Sequence, residues 1–146
     1  MRIHPVLVAG LAAMLVVACG SKNEAEIEPT MSELLYGSNW LAEDIAGRGM
    51  MDKLQSTLKF QADDRVAGLG GCNRFFGSLS IVADNITIGP LGGTRMACEP
   101  AIMEQEQRFL ETLEQAKVVR LDEKQKQLYM DDAGGREILR FKRLKK

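Results

Sequence analysis

The chain has 146 residues with 19 basic and 20 acidic side chains, a formal net charge of −1, and one histidine, His4. So even a balance gives no broad electrostatic pull on nucleic acid, and none is expected as a partner. A lone N-terminal histidine removes the commonest general acid or base, and with it Ser-His-Asp or Cys-His catalysis in the body of the chain.

The first residues have the parts of an export signal. Arg2 and His4 make a weakly positive start, and residues 6–17 are apolar apart from glycine. That run is about a dozen residues, short of the roughly 20 needed for a membrane-spanning helix. Val16-Val17-Ala18-Cys19 closes it and reads as a bacterial lipoprotein cleavage site: residues 1–18 are a signal peptide to be removed. The Cys19 thiol then receives diacylglycerol, and the new amine can take a third acyl chain. Two or three chains anchor durably where one does not, at about 0.8 kcal/mol per buried methylene. Gly20 follows, not the aspartate that would hint at inner-membrane retention. The expected address is the outer membrane facing the periplasm in a Gram-negative cell, or the outer face of the plasma membrane in a Gram-positive one. Cleavage also removes His4 and Arg2, leaving 128 residues of the 146, with 18 basic side chains against 20 acidic, the length of one ordinary domain.

Residues 19–34, polar and acidic up to Thr30, read as a lipid-anchored flexible tether. Residues 31–36 are a short helical or extended lead-in, and residues 35–146 form the domain. Strands are expected over Asn39–Ile45, 56–61, Arg65–Leu69, 75–82, 86–88 and 91–96, with a loop over 47–52 and turns at Asp63-Asp64 and Ala83-Asp84-Asn85. A closing meander follows over 118–121, 127–130 and 137–144, with turns at 122–124 and 131–135. The basic end, Arg140 to Lys146, alternates with apolar residues and suggests a final strand with a solvated tail able to meet anionic lipid.

One segment breaks this rhythm. Over Pro100–Gln115, Ile102, Met103, Phe109, Leu110 and Leu113 recur at helical spacing, continued by Ala116. Glu99-Pro100 suits a helix start, and Glu104 and Glu106 are read as complementing the N-terminal dipole. Only the concave face of the strands is long enough to cover this amphipathic helix.

With Cys19 lipidated, Cys72 and Cys98 remain, and an oxidising compartment favours a disulfide between them. The chain-entropy model gives such a bond roughly 3 kcal/mol; two buried free thiols is the alternative. No metal or cofactor is expected, because structural zinc wants about four cysteine or histidine ligands and the carboxylates lack calcium-loop spacing. Gly68, Gly70 and Gly71 suit a bend or bulge better than a phosphate cradle. No enzyme activity is expected.

Two dense segments carry a resemblance: Gly71-Cys72-Asn73-Arg74-Phe75-Phe76-Gly77 and Thr94-Arg95-Met96-Ala97-Cys98. With Gly37, Trp40, Glu104, Glu106, Phe109 and Leu139-Arg140-Phe141, they make residues 35–144 resemble the META domain family, specifically its HslJ-like heat-shock envelope lipoproteins. The resemblance implies an α+β, mostly antiparallel half-barrel, or cracked barrel, with one helix packed across its opening. It also implies a link to envelope stress, antibiotic tolerance and, in some members, motility or secretion, with no established reaction. A similar architecture occurs in lipid-binding pilot lipoproteins that escort secretin subunits.

Asn73, Arg74, Thr94 and Arg95 are the candidate interaction surface. One reading has the asparagine and threonine satisfying backbone groups beside the cysteines, with the arginines pairing acids or covering the core. The other makes them the polar rim of a partner patch. The leading expectation is a non-enzymatic, lipid-anchored binding module that presents a groove or strand edge to an envelope protein or lipid. A lipid carrier, which needs a dry cavity, and an inhibitor of a cell-wall lytic enzyme are the alternatives.

Overall fold

The computed structural model describes residues 27–145; the signal peptide, Cys19 and residues 20–26 of the tether lie outside them. The lead-in is helical: α1 (Met31–Leu35) is capped by a reciprocal Thr30–Glu33 box, and Leu35 is fully buried. Then come β1 (Asn39–Ile45), the two-residue β2 (Arg48–Gly49), β3 (Thr57–Gln61), β4 (Arg65–Leu69), β5 (Arg74–Val82) and β6 (Asn85–Gly93). Helix α2 (Pro100–Gln115) and the meander β7 (Val118–Asp122), β8 (Gln127–Asp131) and β9 (Glu137–Arg143) complete the chain.

Alternation decides which face each strand buries. Trp40, Leu58, Phe60, Val66, Phe75, Leu79, Leu128, Met130, Leu139 and Phe141 all turn inward to one core. The nine strands run in the order β2-β1-β3-β4-β5-β6-β7-β8-β9, every pairing antiparallel, and β1 also pairs with β9. The sheet therefore curls into a ring, but not a regular barrel. Its weak seam is β6–β7, joined through the single pair Asn85–Val118. Helix α2 packs on β6 and reaches β1 and β9, laying Phe109 between Phe75 and Phe141 with centroids 5.8 and 6.1 Å away, both edge-on. The mostly antiparallel, helix-crossed cracked barrel is the architecture the sequence implied.

Three local details differ from the sequence reading. Residues 86–88 and the start of 91–96 belong to one strand, β6, which shifts register opposite Gly77–Leu79. Pro90 offers no N–H and Gly89 has φ +108°, so the ladder slips there and resumes. The ladder ends at Thr94, whose N–H still bonds the Arg74 carbonyl at 3.0 Å while the Arg74 N–H turns to the Thr94 hydroxyl, and the Met96 N–H bonds the Asn73 side chain. Finally, Glu104 and Glu106 lie beyond the first turn of α2, which holds no acid; Glu106 turns inward, for a reason seen at the site.

Candidate functional site

The two motif segments meet at the start of α2. Residues 70–73 link β4 to β5, residues 94–99 lead from β6 into α2, and a disulfide joins Cys72 to Cys98 with Cα atoms 6.3 Å apart. Beside it, the Glu106 carboxylate is nearly buried, at 5% exposure. Its Oε2 accepts the backbone N–H groups of Cys72 (2.8 Å) and Asn73 (2.6 Å), and its Oε1 accepts Asn73 Nδ2 (2.8 Å). Three donors satisfy the charge without any cation.

Asn73, also buried, relays the bonds to the second segment. Its Oδ1 accepts Thr94 Oγ1 (2.9 Å) and Met96 N–H (2.6 Å), while Nδ2 also reaches Met96 O (3.2 Å). Thr94 Oγ1 in turn accepts the Arg74 N–H at 3.1 Å. Gly70 makes room for the carboxylate: a Cβ there would stand 2.7 Å from Glu106 Cγ and 2.9 Å from Oε2. One position along α2, Gln105 Oε1 accepts the Met51 N–H at 2.9 Å and so fastens the loop of residues 50–55 to the same helix.

The four candidate surface residues thus divide. Asn73 and Thr94 sit inside the hydrogen-bond network. Arg74 and Arg95 are exposed, and neither joins an ion pair among the described residues. The arginines extend from a corner held by one covalent bond and a buried polar network. Glu106 is the residue whose role the sequence reading missed. Its signal is positional: Ile102, Phe109 and Leu113 are spaced on one helical stripe, and Glu106 occupies the gap in it.

Among the described residues no three histidine, cysteine, aspartate or glutamate side chains cluster to hold a metal ion, and no helix is long and apolar enough to cross a membrane. The outermost strand, β2, has only two residues, and the longer strand edges lie at the seam where β6 and β7 meet through one pair.

Solved structures share this architecture. An NMR structure of a protein from Burkholderia xenovorans is 23% identical, with a TM-score of 0.64 over 100% of both chains. A second protein solved by NMR is 26% identical, with a TM-score of 0.61 over 78% of this chain and 95% of that one. The crystal structure of a DUF4847 family protein from Bacteroides vulgatus ATCC 8482 is 16% identical, with a TM-score of 0.56 over 79% and 98%. No curated protein matches the chain. The META domain model matches residues 29–145, a span that takes in both cysteine segments, the ring and the helix that crosses it: the chain belongs to the META domain family.

Proposed function

We propose that this META domain protein is a non-enzymatic lipoprotein of the bacterial envelope, anchored through Cys19, that binds an envelope partner as part of stress tolerance. The observation that carries the reading is the braced corner. Two segments distant in sequence are joined by the Cys72–Cys98 bond and the Glu106–Asn73 network, and they hold Arg74 and Arg95 outward. Pre-organised arginines on a rigid frame favour binding because little side-chain and loop entropy remains to be lost. The carrier alternative loses ground in the core, where Phe109 fills the space between helix and sheet that a sheltered acyl chain needs.

The test is purification of the full-length protein from native membranes after in vivo cross-linking. Intact mass spectrometry is expected to find a diacylglycerol-modified Cys19 as the first residue, with a specific protein cross-linked. Arg74→Ala and Arg95→Ala are expected to lose that partner with an unchanged unfolding midpoint. An unmodified Cys19 would remove the anchor, and a stoichiometric lipid with no protein would restore the carrier reading.

A further inference from the structure

The strand registers draw a line across the outside of the ring. Asn39 of β1 stands opposite Lys59 of β3, Lys59 opposite Ala67 of β4, and Ala67 opposite Phe76 of β5. Residues paired in this way share a face, and since Trp40, Leu58, Val66 and Phe75 point inward, these point out. At the other end, the Asn39 carbonyl accepts the Leu144 N–H at 2.8 Å. With strands about 4.8 Å apart, the line from Leu144 to Phe76 crosses five chain segments and roughly 19 Å. Its two ends are apolar and open to solvent, Phe76 at 52% and Leu144 at 36% exposure.

Cations lie between and beside those ends. A hollow of about 470 Å³ is lined by Lys59 and Arg74 together with Leu69 and Phe76. Gly68 lets its floor form, because a Cβ there would stand 2.0 Å from the Thr57 carbonyl oxygen and 2.7 Å from the Phe75 ring. Across Asn39 lies a second hollow of about 510 Å³, lined by Lys126, Arg143, Leu144 and Lys145. Arg143 is held over the Trp40 ring, 5.4 Å from its centroid.

No acid lines either hollow, and none of these five cations is in an ion pair among the described residues. The hollow along α2 has the opposite character, lined by Glu106, Glu111 and Glu114 and by no cation. Within a chain of net charge −1, the two strand-side hollows are thus basic and apolar and the one bordered by Glu111 and Glu114 is acidic.

We propose that the outer face of β9, β1, β3, β4 and β5 lies on an anionic phospholipid surface. Phe76 and Leu144 enter the headgroup boundary, and Lys59, Lys126 and Lys145 meet phosphate groups, while Arg143, opposite the inward Trp40, stays on that ring. Exposed apolar side chains flanked by unpaired cations are what such an interface selects. The chain also has the reach, and for this the inference rests on the anchored reading. Thr30 lies eleven positions after Cys19, a span of about 36–40 Å when extended, and α1 leads directly into the strand that begins at Asn39. Arg74 of the braced corner borders this face, while Arg95 lines neither hollow and is left for a protein.

The experiment is lysine acetylation footprinting of the full-length protein on floated vesicles, of phosphatidylcholine alone or mixed with phosphatidylglycerol. Each basic residue brought to an anionic surface strengthens binding by about fivefold. Lys59, Lys126 and Lys145 are thus expected to label several times more slowly on the phosphatidylglycerol vesicles, with Lys53 and Lys117 unchanged. In Lys126→Glu/Lys145→Glu, which alters only surface positions, Lys59 is expected to label at the phosphatidylcholine rate. Equal labelling of Lys59 on both vesicle types overturns the proposal. So does protection that depends on a cross-linked protein and not on lipid charge. The intact mass at Cys19, read on the same sample, tests the anchor separately: an unmodified cysteine defeats that reading while the footprint still decides this one.

Discussion

Glu106 and Asp131 are both carboxylates drawn out of solvent, at 5% and 7% exposure, and the fold meets their charge in different ways. Glu106 is held by three N–H groups from a loop more than thirty positions away in sequence. Asp131 takes a two-pronged guanidinium from the neighbouring strand, with Arg120 Nε and Nη2 at 2.7 and 2.8 Å. Arg120 also lies 4.9 Å from the Tyr129 ring centroid and keeps 49% of its side chain exposed. The first arrangement ties distant segments together and leaves its donors stranded if the acceptor goes. The second is local, and water can replace either partner. The same chemical group is structural in one place and decorative in the other because of what surrounds its partners.

The largest effect is therefore expected at Glu106. Glu106→Ala leaves buried backbone and amide donors without an acceptor, at about 1–3 kcal/mol for each one that water cannot reach. We expect a loss of about 3 kcal/mol or more in urea unfolding at neutral pH. Glu106→Gln keeps one acceptor oxygen but turns an NH₂ toward existing donors, so it is expected to fall between alanine and the parent. A loss under about 1 kcal/mol in the alanine variant would mean that water enters the corner and takes over the bonds.

The disulfide comes next. A link across a sequence separation of 26 contributes about 3 kcal/mol when the unfolded chain is otherwise unconstrained. The bonds of Asn73 to Thr94 and Met96 join the same two segments, so the corner is expected to stay assembled on reduction. Cys72→Ser/Cys98→Ser is expected to lose up to about 3 kcal/mol. Combined with Glu106→Ala, the loss is expected to depart from the sum, since both act on one structure. Strict additivity in that cycle would show that the two braces work on independent parts of the fold.

How much of this was legible in sequence follows the range of the interactions. Helix α2 and most strands were readable because periodicity is local: Phe109 and Leu113 recur on one face, and Leu58 and Phe60 alternate. The cysteine pair and the segments around it were readable as dense motifs. The role of Glu106 was not, because a glutamate in a helix ordinarily faces solvent and its donors arrive from residues 72 and 73. The line from Leu144 through Asn39 and Lys59 to Phe76 was also out of reach, since it exists only in the register of strands from both ends of the chain. Nor does the sequence separate Asn73 and Thr94, whose side chains bond to each other, from Arg74 and Arg95, which extend outward; that division comes from the folded network.

A smaller effect is expected at the second carboxylate. The hydrogen bond to Asp131 first, then its charge and that of Glu137, raise the Arg120 pKa above its ordinary range, so the guanidinium stays charged. Its exposed guanidinium limits what the pair contributes, and solvent-screened bridges are worth about 1 kcal/mol or less. Asp131→Asn is expected to cost about that much in low salt and less in high salt. A loss as large as that of Glu106→Ala would erase the contrast between the two sites.

The smallest effect belongs to Asp132, a surface carboxylate one residue further on. The backbone N–H of Arg136 chiefly, then the N–H of Gly134 and the charge of Arg136, hold its pKa below the ordinary 3.8. Here too backbone donors and a cation serve one group, so the position combines both devices without burial. A depressed carboxyl pKa contributes stability that is present above pH 3.8 and lost as the pH falls through the lower folded-state value. NMR titration of the side-chain carboxyl carbon is expected to show a midpoint below 3.8, with the β8–β9 turn loosening over the same acid range. Arg136→Ala removes the guanidinium 2.9 Å from the carboxylate but keeps the backbone donor at 3.0 Å. The midpoint is therefore expected to stay depressed in that variant. A return to the ordinary value would mean that the cation outweighs the backbone donors at the surface, against the order argued from Glu106.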